Sequence, residues 1–368
     1  MYLAIREMRH AKARYALIGT VMLLVTLLVL FVTGLAQGLA YDNASSIKNR
    51  AATHYILGPD SNHRLTRSQV NGEQGKEALR IVGEGNAEPF GVQMATVLAS
   101  GEAKKLDITF LGVNPEGWMA PGLVEGSPLS EKGHVLVDRS LSEAGVRIGT
   151  ILKDQASGTE WTVGGFVEKE SFSHTPAVFV RMTDWPALQA ANGSRLSSPE
   201  GFTAIAVKAS KEQARELEAV LPKAEVIGAS EAVAAIPGYK EEQGSLLMMI
   251  VFLYGISFLV LAVFFYVITI QKTSQFGILK AIGTRSAYLT GSVAQQVLIL
   301  SAVSLVVSLV VVTFVQAVLP SSLPFELHPS AIAGTGVAFV ILSLAGSLAS
   351  VWKVSRVDAL DAIGRGAA

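Results

Sequence analysis

GSLLMMIVFLYGISFLVLAVFFYVITIQ, residues 244–271, runs for 28 residues without an Asp, Glu, Lys or Arg. A helix of a soluble protein rarely stays uncharged that long, because one face meets water. A bilayer span needs about 20 apolar residues. Hydrocarbon offers backbone groups no partner, so such a segment is helical or part of a closed barrel. Three more uncharged runs follow the same rule: Tyr15 to Tyr41, Ser286 to Phe325 with its apolar centre at Val297 to Leu319, and Leu327 to Trp352 with Pro329 near its start. The first is about twice the 7–15 apolar residues of a signal peptide, and it reads as a retained span.

Composition agrees. Of 368 residues 50% are apolar and only 16% charged, with a mean hydropathy of +0.42, against about 25% charge in soluble domains. Thirty basic residues balance thirty acidic ones, so no net field argues for nucleic acid. The absence of cysteine excludes disulfides, thiolate metal sites and cysteine nucleophiles.

The expected fold is an α-helical integral membrane protein with four transmembrane helices in a 1+3 arrangement and a mixed α+β extracytoplasmic domain. Its expected parts are a cytoplasmic amphipathic arm (1–14), a first span (15–41), the large domain (42–243), a second span (244–271), a cytoplasmic loop or coupling helix (272–286), a third span (287–319), a short outer loop (320–329), a fourth span (330–352) and a tail (353–368). The arm, the inner loop and the tail together carry ten basic and three acidic residues, whereas 42–243 carries 20 basic and 26 acidic. The excess of Lys and Arg places both termini and the inner loop in the cytoplasm of a bacterial cell, and the large domain outside.

Within 42–243, short β-like runs stand between turn signals at His134 to Val137, Trp161 to Val167, Ala177 to Arg181 and Phe202 to Val207. Lys211 to Val220 reads as an amphipathic helix stopped by Pro222, and Asp138 to Ala144 as a short helix stopped by Gly145. Gly75-Lys76 is followed by Glu77, and Val70 stands where a phosphate loop needs its first glycine. No ATP-binding motif, HExxH pair or spaced acid/base pair is present, so the reading is a non-enzymatic membrane subunit with no cofactor or metal of its own.

The arm places Leu3, Met8 and Ala11 near one helical face, as a headgroup-layer helix would, or as the flank of a span would by accident. In the inner loop Phe276, Leu279 and Ile282 recur at helical spacing with Ile278 alongside, beside Lys280, and Gly283 fits a C′ stop. Such a ridge needs either a partner groove or lipid. Gly34-xxx-Gly38 and Gly346-xxx-Ser350 permit close helix approach, within one chain or between two copies.

The run Gln275-Phe276-Gly277-Ile278-Leu279-Lys280-Ala281-Ile282-Gly283 resembles the hallmark of the FtsX-like permease family of ABC transporter subunits. The tail from Arg356 to Ile363, the stretch Gly133 to Gly149 and the 1+3 order resemble the same family. Many members carry a basic-acidic pair where this chain has Ser274-Gln275. The Gln-Phe version, with Ile236-Pro237-Gly238-Tyr239, resembles the branch of haem exporters and cyanobacterial DevC-type exporters. The resemblance implies a homodimer of permeases held in membrane lipid with two separate ABC ATPase subunits, which bind ATP and Mg. It implies docking through Phe276, Gly277, Ile278, Leu279, Lys280, Ile282 and Gly283, and efflux of haem or a similar hydrophobic compound. Iron would want a Tyr, His or Met ligand. Tyr239, Met248, Met249 and His174 are the candidates, though Met also fills cores and Tyr favours interfaces. Two other roles remain within the family: a mechanotransmitting subunit acting on lipoproteins or cell-wall hydrolases, and a sensor in peptide-antibiotic resistance, which the span count disfavours.

Overall fold

The computed structural model describes residues 2–100, 105–191, 201–319 and 323–355. In chain order the elements are α1 (Tyr2–His10), α2 (Lys12–Asp42), α3 (Ser45–Lys48), β1 (His54–Leu57), α4 (Gly72–Val82), β2 (Ala87–Ala99), β3 (Lys105–Val113), β4 (Leu123–Gly126), β5 (His134–Asp138), β6 (Ile151–Asp154), β7 (Glu160–Val167), β8 (Ser171–Phe172), β9 (Thr175–Arg181), α5 (Trp185–Ala191), β10 (Ala204–Val207), α6 (Lys211–Val220), β11 (Glu225–Gly228), α7 (Ala229–Ala234), α8 (Tyr239–Gln271), α9 (Thr273–Ala281), α10 (Ser286–Val318) and α11 (Pro329–Ser355). They form two compact units, Met1–Gly38 with Ser245–Ala368, and Leu39–Gly244. The tail motif Arg356 to Ile363 and Pro320 to Ser322 of the short loop lie outside the described residues.

The first unit contains the four long apolar helices. α2, α8, α10 and α11 each hold a stretch of mean hydropathy 2.0 to 2.8, long enough to cross a membrane. Their polarity is inside out. Val303, Val306, Val310 and Phe314 of α10 are exposed, while Ser292, Ser301, Ser304 and Ser308 of the same helix are buried. Ser304 and Ser308 donate to the Gly19 and Leu23 carbonyls of α2, at 3.4 and 3.1 Å. Small polar residues inside and large apolar residues outside suit a lipid solvent, where close helix approach takes over from the hydrophobic drive. Tyr15, Ile18, Met22, Leu261, Phe265, Val297, Leu300 and Phe339 make the shared core. Met8 and Ala11 of the arm pack against it.

Both small-residue pairs are used within the chain. A Cβ on Gly34 would lie 2.4 Å from the Phe325 ring, and one on Gly38 only 2.2 Å from the Pro324 carbonyl oxygen. The Glu326 amide donates to the Gly34 carbonyl at 3.1 Å. The loop before α11 therefore seats on this face of α2. Gly346 lies against Ala262 of α8, and the Ser350 hydroxyl donates to the Ala262 carbonyl at 3.2 Å.

α8 begins at Tyr239, upstream of the charge-free run. Gly238, at φ +80°, turns the chain, and Glu241 and Glu242 sit in the first helical turn, where the dipole favours anions. Freedom from charge marks where lipid starts, not where the helix starts.

The second unit is α+β. Its mixed sheet runs in the order β11-β1-β10-β2-β3-β9-β5-β7-β4. β2 pairs through Ala87–Phe90 with β10, then through Gly91–Leu98 with β3. Gly91 and Gly112 face each other across that pair, and a Cβ on either would lie within 2.5 to 2.7 Å of the Trp185 ring. Two absent side chains make the seat for a fully buried tryptophan. Ser210 caps α6 in a reciprocal capping box with Gln213. Arg139–Ala144 is a 3₁₀ turn, not an α-helix, with Asp138 as its cap and Gly145 left-handed at φ +90°. Gly75 and Lys76 lie inside α4 and form no loop.

Candidate functional site

α9 is a short helix built on its own ending. Gly283, at φ +93°, takes the left-handed position. Its amide donates to the Lys280 carbonyl at 2.9 Å, and the Thr284 amide to the Leu279 carbonyl at 3.0 Å. These are the two bonds of a Schellman stop. A side chain at 283 would strain it.

The apolar ridge is not the one the i, i+3, i+6 spacing suggests. Ile278 is 54% exposed and Ile282 74%, whereas Phe276, Leu279 and Lys280 are half-buried and Gly277 is buried. Ile278 and Ile282 stand four residues apart on one face, flanked by exposed Ser274, Gln275 and Ala281. The inward side of α9 packs and the outward side offers two isoleucines.

A second cluster lies in the other unit. β8 and β9 are joined by Ser173 and His174, both left-handed at φ +52° and +60°. Two such residues make a type I′ hairpin turn, which favours Asn-Gly. Here neighbouring groups hold it. The Ser173 amide donates to the Asn43 carbonyl at 2.8 Å, and the Ser171 hydroxyl donates to the Asp42 carbonyl. The His174 ring lies between two carboxylates: Nδ1 is 2.9 Å from Asp42 Oδ2 and Nε2 is 3.0 Å from Glu242 Oε2. Asn43 Nδ2 donates to the same Glu242 oxygen at 2.6 Å. The last residue of α2, a strained turn and the first turn of α8 thus close on one imidazole.

An imidazolium donates to both carboxylates and a neutral ring to only one. Burial alone lowers the His174 pKa, but the bonds to Asp42 and Glu242 outweigh it and the net shift is upward. A raised folded pKa stabilises fully below the unfolded value of about 6.5 and is lost as pH rises through the folded one. His174→Gln therefore melts below the parent at pH 6, and the gap closes by pH 9; a gap independent of pH would show that the ring is not charged in the fold.

Tyr239 takes other partners. It packs against the core of its unit, and the Lys48 ammonium lies 3.3 Å from its hydroxyl and 5.3 Å from its ring centre. Met248 and Met249, further along α8, are 58% and 43% exposed. For His174 to ligate iron it must release one carboxylate. The sequence reading missed Asp42, Asn43 and Glu242. Their signal was position, since the two carboxylates bracket the large domain at the inner ends of the charge-free runs.

Comparison with known proteins adds a lineage. Residues 247–359 match the FtsX-like permease C-terminal family. A relative from Staphylococcus haemolyticus (strain JCSC1435), provisionally named hemin transport system permease protein HrtB, is 29% identical over 364 residues, 99% of each chain. One of the same provisional name from Staphylococcus epidermidis (strain ATCC 12228 / FDA PCI 1200) is 28% identical over 366 residues and the whole of both chains. Among solved structures, the extracellular domain of the noncanonic ABC-type transporter YknZ from Gram-positive bacteria covers 48% of this chain and 98% of its own, at 16% identity and a TM-score of 0.34.

Proposed function

We propose that this chain is the membrane subunit of an ABC-type exporter, driven by a separate ATPase that grips α9, and that it moves haem or a comparable amphipathic compound out of the membrane. The observation that carries the reading is the pair of outward isoleucines, 54% and 74% exposed, on a helix set between two membrane-length helices. A soluble partner with an apolar groove fits that face. The charge balance of the short segments supports a cytoplasmic position for α9 and both termini, with the α+β domain outside.

Four spans are few for enclosing a path, and α8 is the least covered by its own chain. Only 11% of its most apolar stretch is buried, against 33% for each of the other three helices. A second copy of the chain, with Met248 and Met249 on the facing surface, would supply the missing wall. The full-length similarity to relatives provisionally named for hemin transport supports haem as cargo.

Hemin titration tests this. The purified permease, co-expressed with a cognate ABC ATPase subunit, gives a Soret shift saturating at about one hemin per permease dimer. Met248→Ala or Tyr239→Phe weakens it. A folded complex that stimulates ATP hydrolysis but shows no shift removes haem and leaves the mechanotransmitting role.

A further inference from the structure

Lys272, the residue between α8 and α9, is 3% exposed. Its backbone carbonyl accepts the Phe276 amide at 2.9 Å, so it is the hinge at which α9 starts. Its ammonium reaches three acceptors on three other helices: Glu7 Oε1 of α1 at 2.6 Å, the Tyr15 hydroxyl of α2 at 2.7 Å and Gln296 Oε1 of α10 at 3.4 Å. The acceptors also bond one another. The Tyr15 hydroxyl donates to Gln296 Oε1 at 2.6 Å, and Gln296 Nε2 donates to Glu7 Oε2 at 2.5 Å. The ring is closed, and the amide of Gln296 can point only one way. Tyr15 and Gln296 are themselves buried, at 6% and 3%.

A buried ion pair is a poor source of stability, since its desolvation offsets most of its attraction. A methionine at 272 would fill the same space more simply. What the pair adds is geometry: three N–H directions meet three fixed acceptors, so removing Glu7 leaves the ammonium unpaired, and removing the Tyr15 hydroxyl or the Gln296 amide leaves an N–H without its acceptor.

We infer that Lys272 and Glu7 are a positioning pair that locks the arm helix α1 and the hinge of α9 to helices α2 and α10, so that a movement imposed on α9 reaches the membrane helices as one displacement. The inference rests on the reading that α9 meets the ATPase. Without the pair, α9 still presents Ile278 and Ile282, and the ATPase still binds. Its stroke then turns α9 about a loose hinge.

Two measurements separate the parts. In the full-length permease alone, amide hydrogen exchange of residues 273–281 and of the α1 arm quickens about tenfold in Lys272→Met, the size of a coupling inside one network. With the co-expressed ATPase, K272M co-purifies at the parental ratio but loses the stimulation of ATP hydrolysis by added hemin. Glu7→Gln does the same, and the swapped pair Glu7→Lys with Lys272→Glu regains both protection and stimulation. Unchanged exchange in K272M, or a swap no better than its single variants, overturns the positioning role. Should K272M fail to fold, Glu7→Gln and the swap decide by the same two outcomes. If the parent does not bind the ATPase at all, the proposed function fails, while the exchange arm still decides the lock.

Discussion

Replacing Ile278 and Ile282 together by aspartate abolishes capture of the ATPase subunit. Ile278 of α9 and Ile282, the residue that caps it, are the exposed large apolar side chains of this segment. Burying an isoleucine stabilises a contact by about 1.5–3 kcal/mol, so losing two weakens the complex by roughly 10²–10⁴-fold. A carboxylate driven into an apolar groove costs more still. Both positions face outward, so the permease keeps its fold and its elution on size exclusion. Phe276→Asp also breaks the complex, but Phe276 is half-buried and its loss mixes docking with packing. Co-purification of the double variant at the parental ratio would remove α9 as the docking element.

Arg50→Met lowers the melting temperature of the full-length protein by about 10 °C at pH 8 and by much less at pH 5. Arg50 Nη2 lies 2.6 Å from Glu170 Oε1, and both side chains are 5% exposed. The guanidinium also lies 5.2 Å from the Phe179 ring centre. Breaking a buried pair from one side costs about 3–5 kcal/mol, and 1 kcal/mol moves the midpoint of a domain this size by about 2–4 °C. Burial pushes the Glu170 carboxyl up to about 7, against the pull of Arg50. A raised carboxyl pKa means that the folded state holds the proton more tightly than the unfolded one, so stability falls as pH climbs from about 4.5 to 7. Without Arg50 the carboxyl is pushed higher still, and the fall continues to higher pH. Adding Glu170→Gln to the variant removes the stranded charge and restores most of the loss. A deficit equal at both pH values would show that Arg50 acts by packing alone.

The membrane unit was legible because lipid acts on whole segments. Freedom from charge over 28 residues is a signal no local packing detail can imitate. Boundaries were less legible, as α8 shows. Helix ends follow capping and turn chemistry, and Gly238 with two glutamates carried that information in a stretch read for charge alone. In the α+β domain, α6 stands at Lys211–Val220 as its amphipathic pattern and Pro222 indicate, since both signals are local. The pair β2–β3 was not read, because Glu88, Pro89, Gly91 and Gln93 look like turn chemistry until Trp185 is seen lying over Gly91 and Gly112. The ridge on α9 was half right. Periodicity identifies a face but not which of two adjacent faces the neighbours cover, and Phe276 and Leu279 lost to Ile278 and Ile282 on that count. The two polar clusters had no spacing to find. His174 lies 132 residues from Asp42 and 68 from Glu242, and Tyr15 lies 281 from Gln296. Only the fold brings them together.

The most direct test of the account uses the natural absence of cysteine. Single cysteines at Ser274 on the exposed face of α9 and at Lys153 of the α+β domain are challenged with a membrane-impermeant maleimide in intact cells. The account predicts that Lys153→Cys is labelled at once, and that Ser274→Cys is labelled only in inverted vesicles. Labelling of Ser274→Cys from outside intact cells would place α9 beyond the reach of any cytoplasmic ATPase and contradict the account.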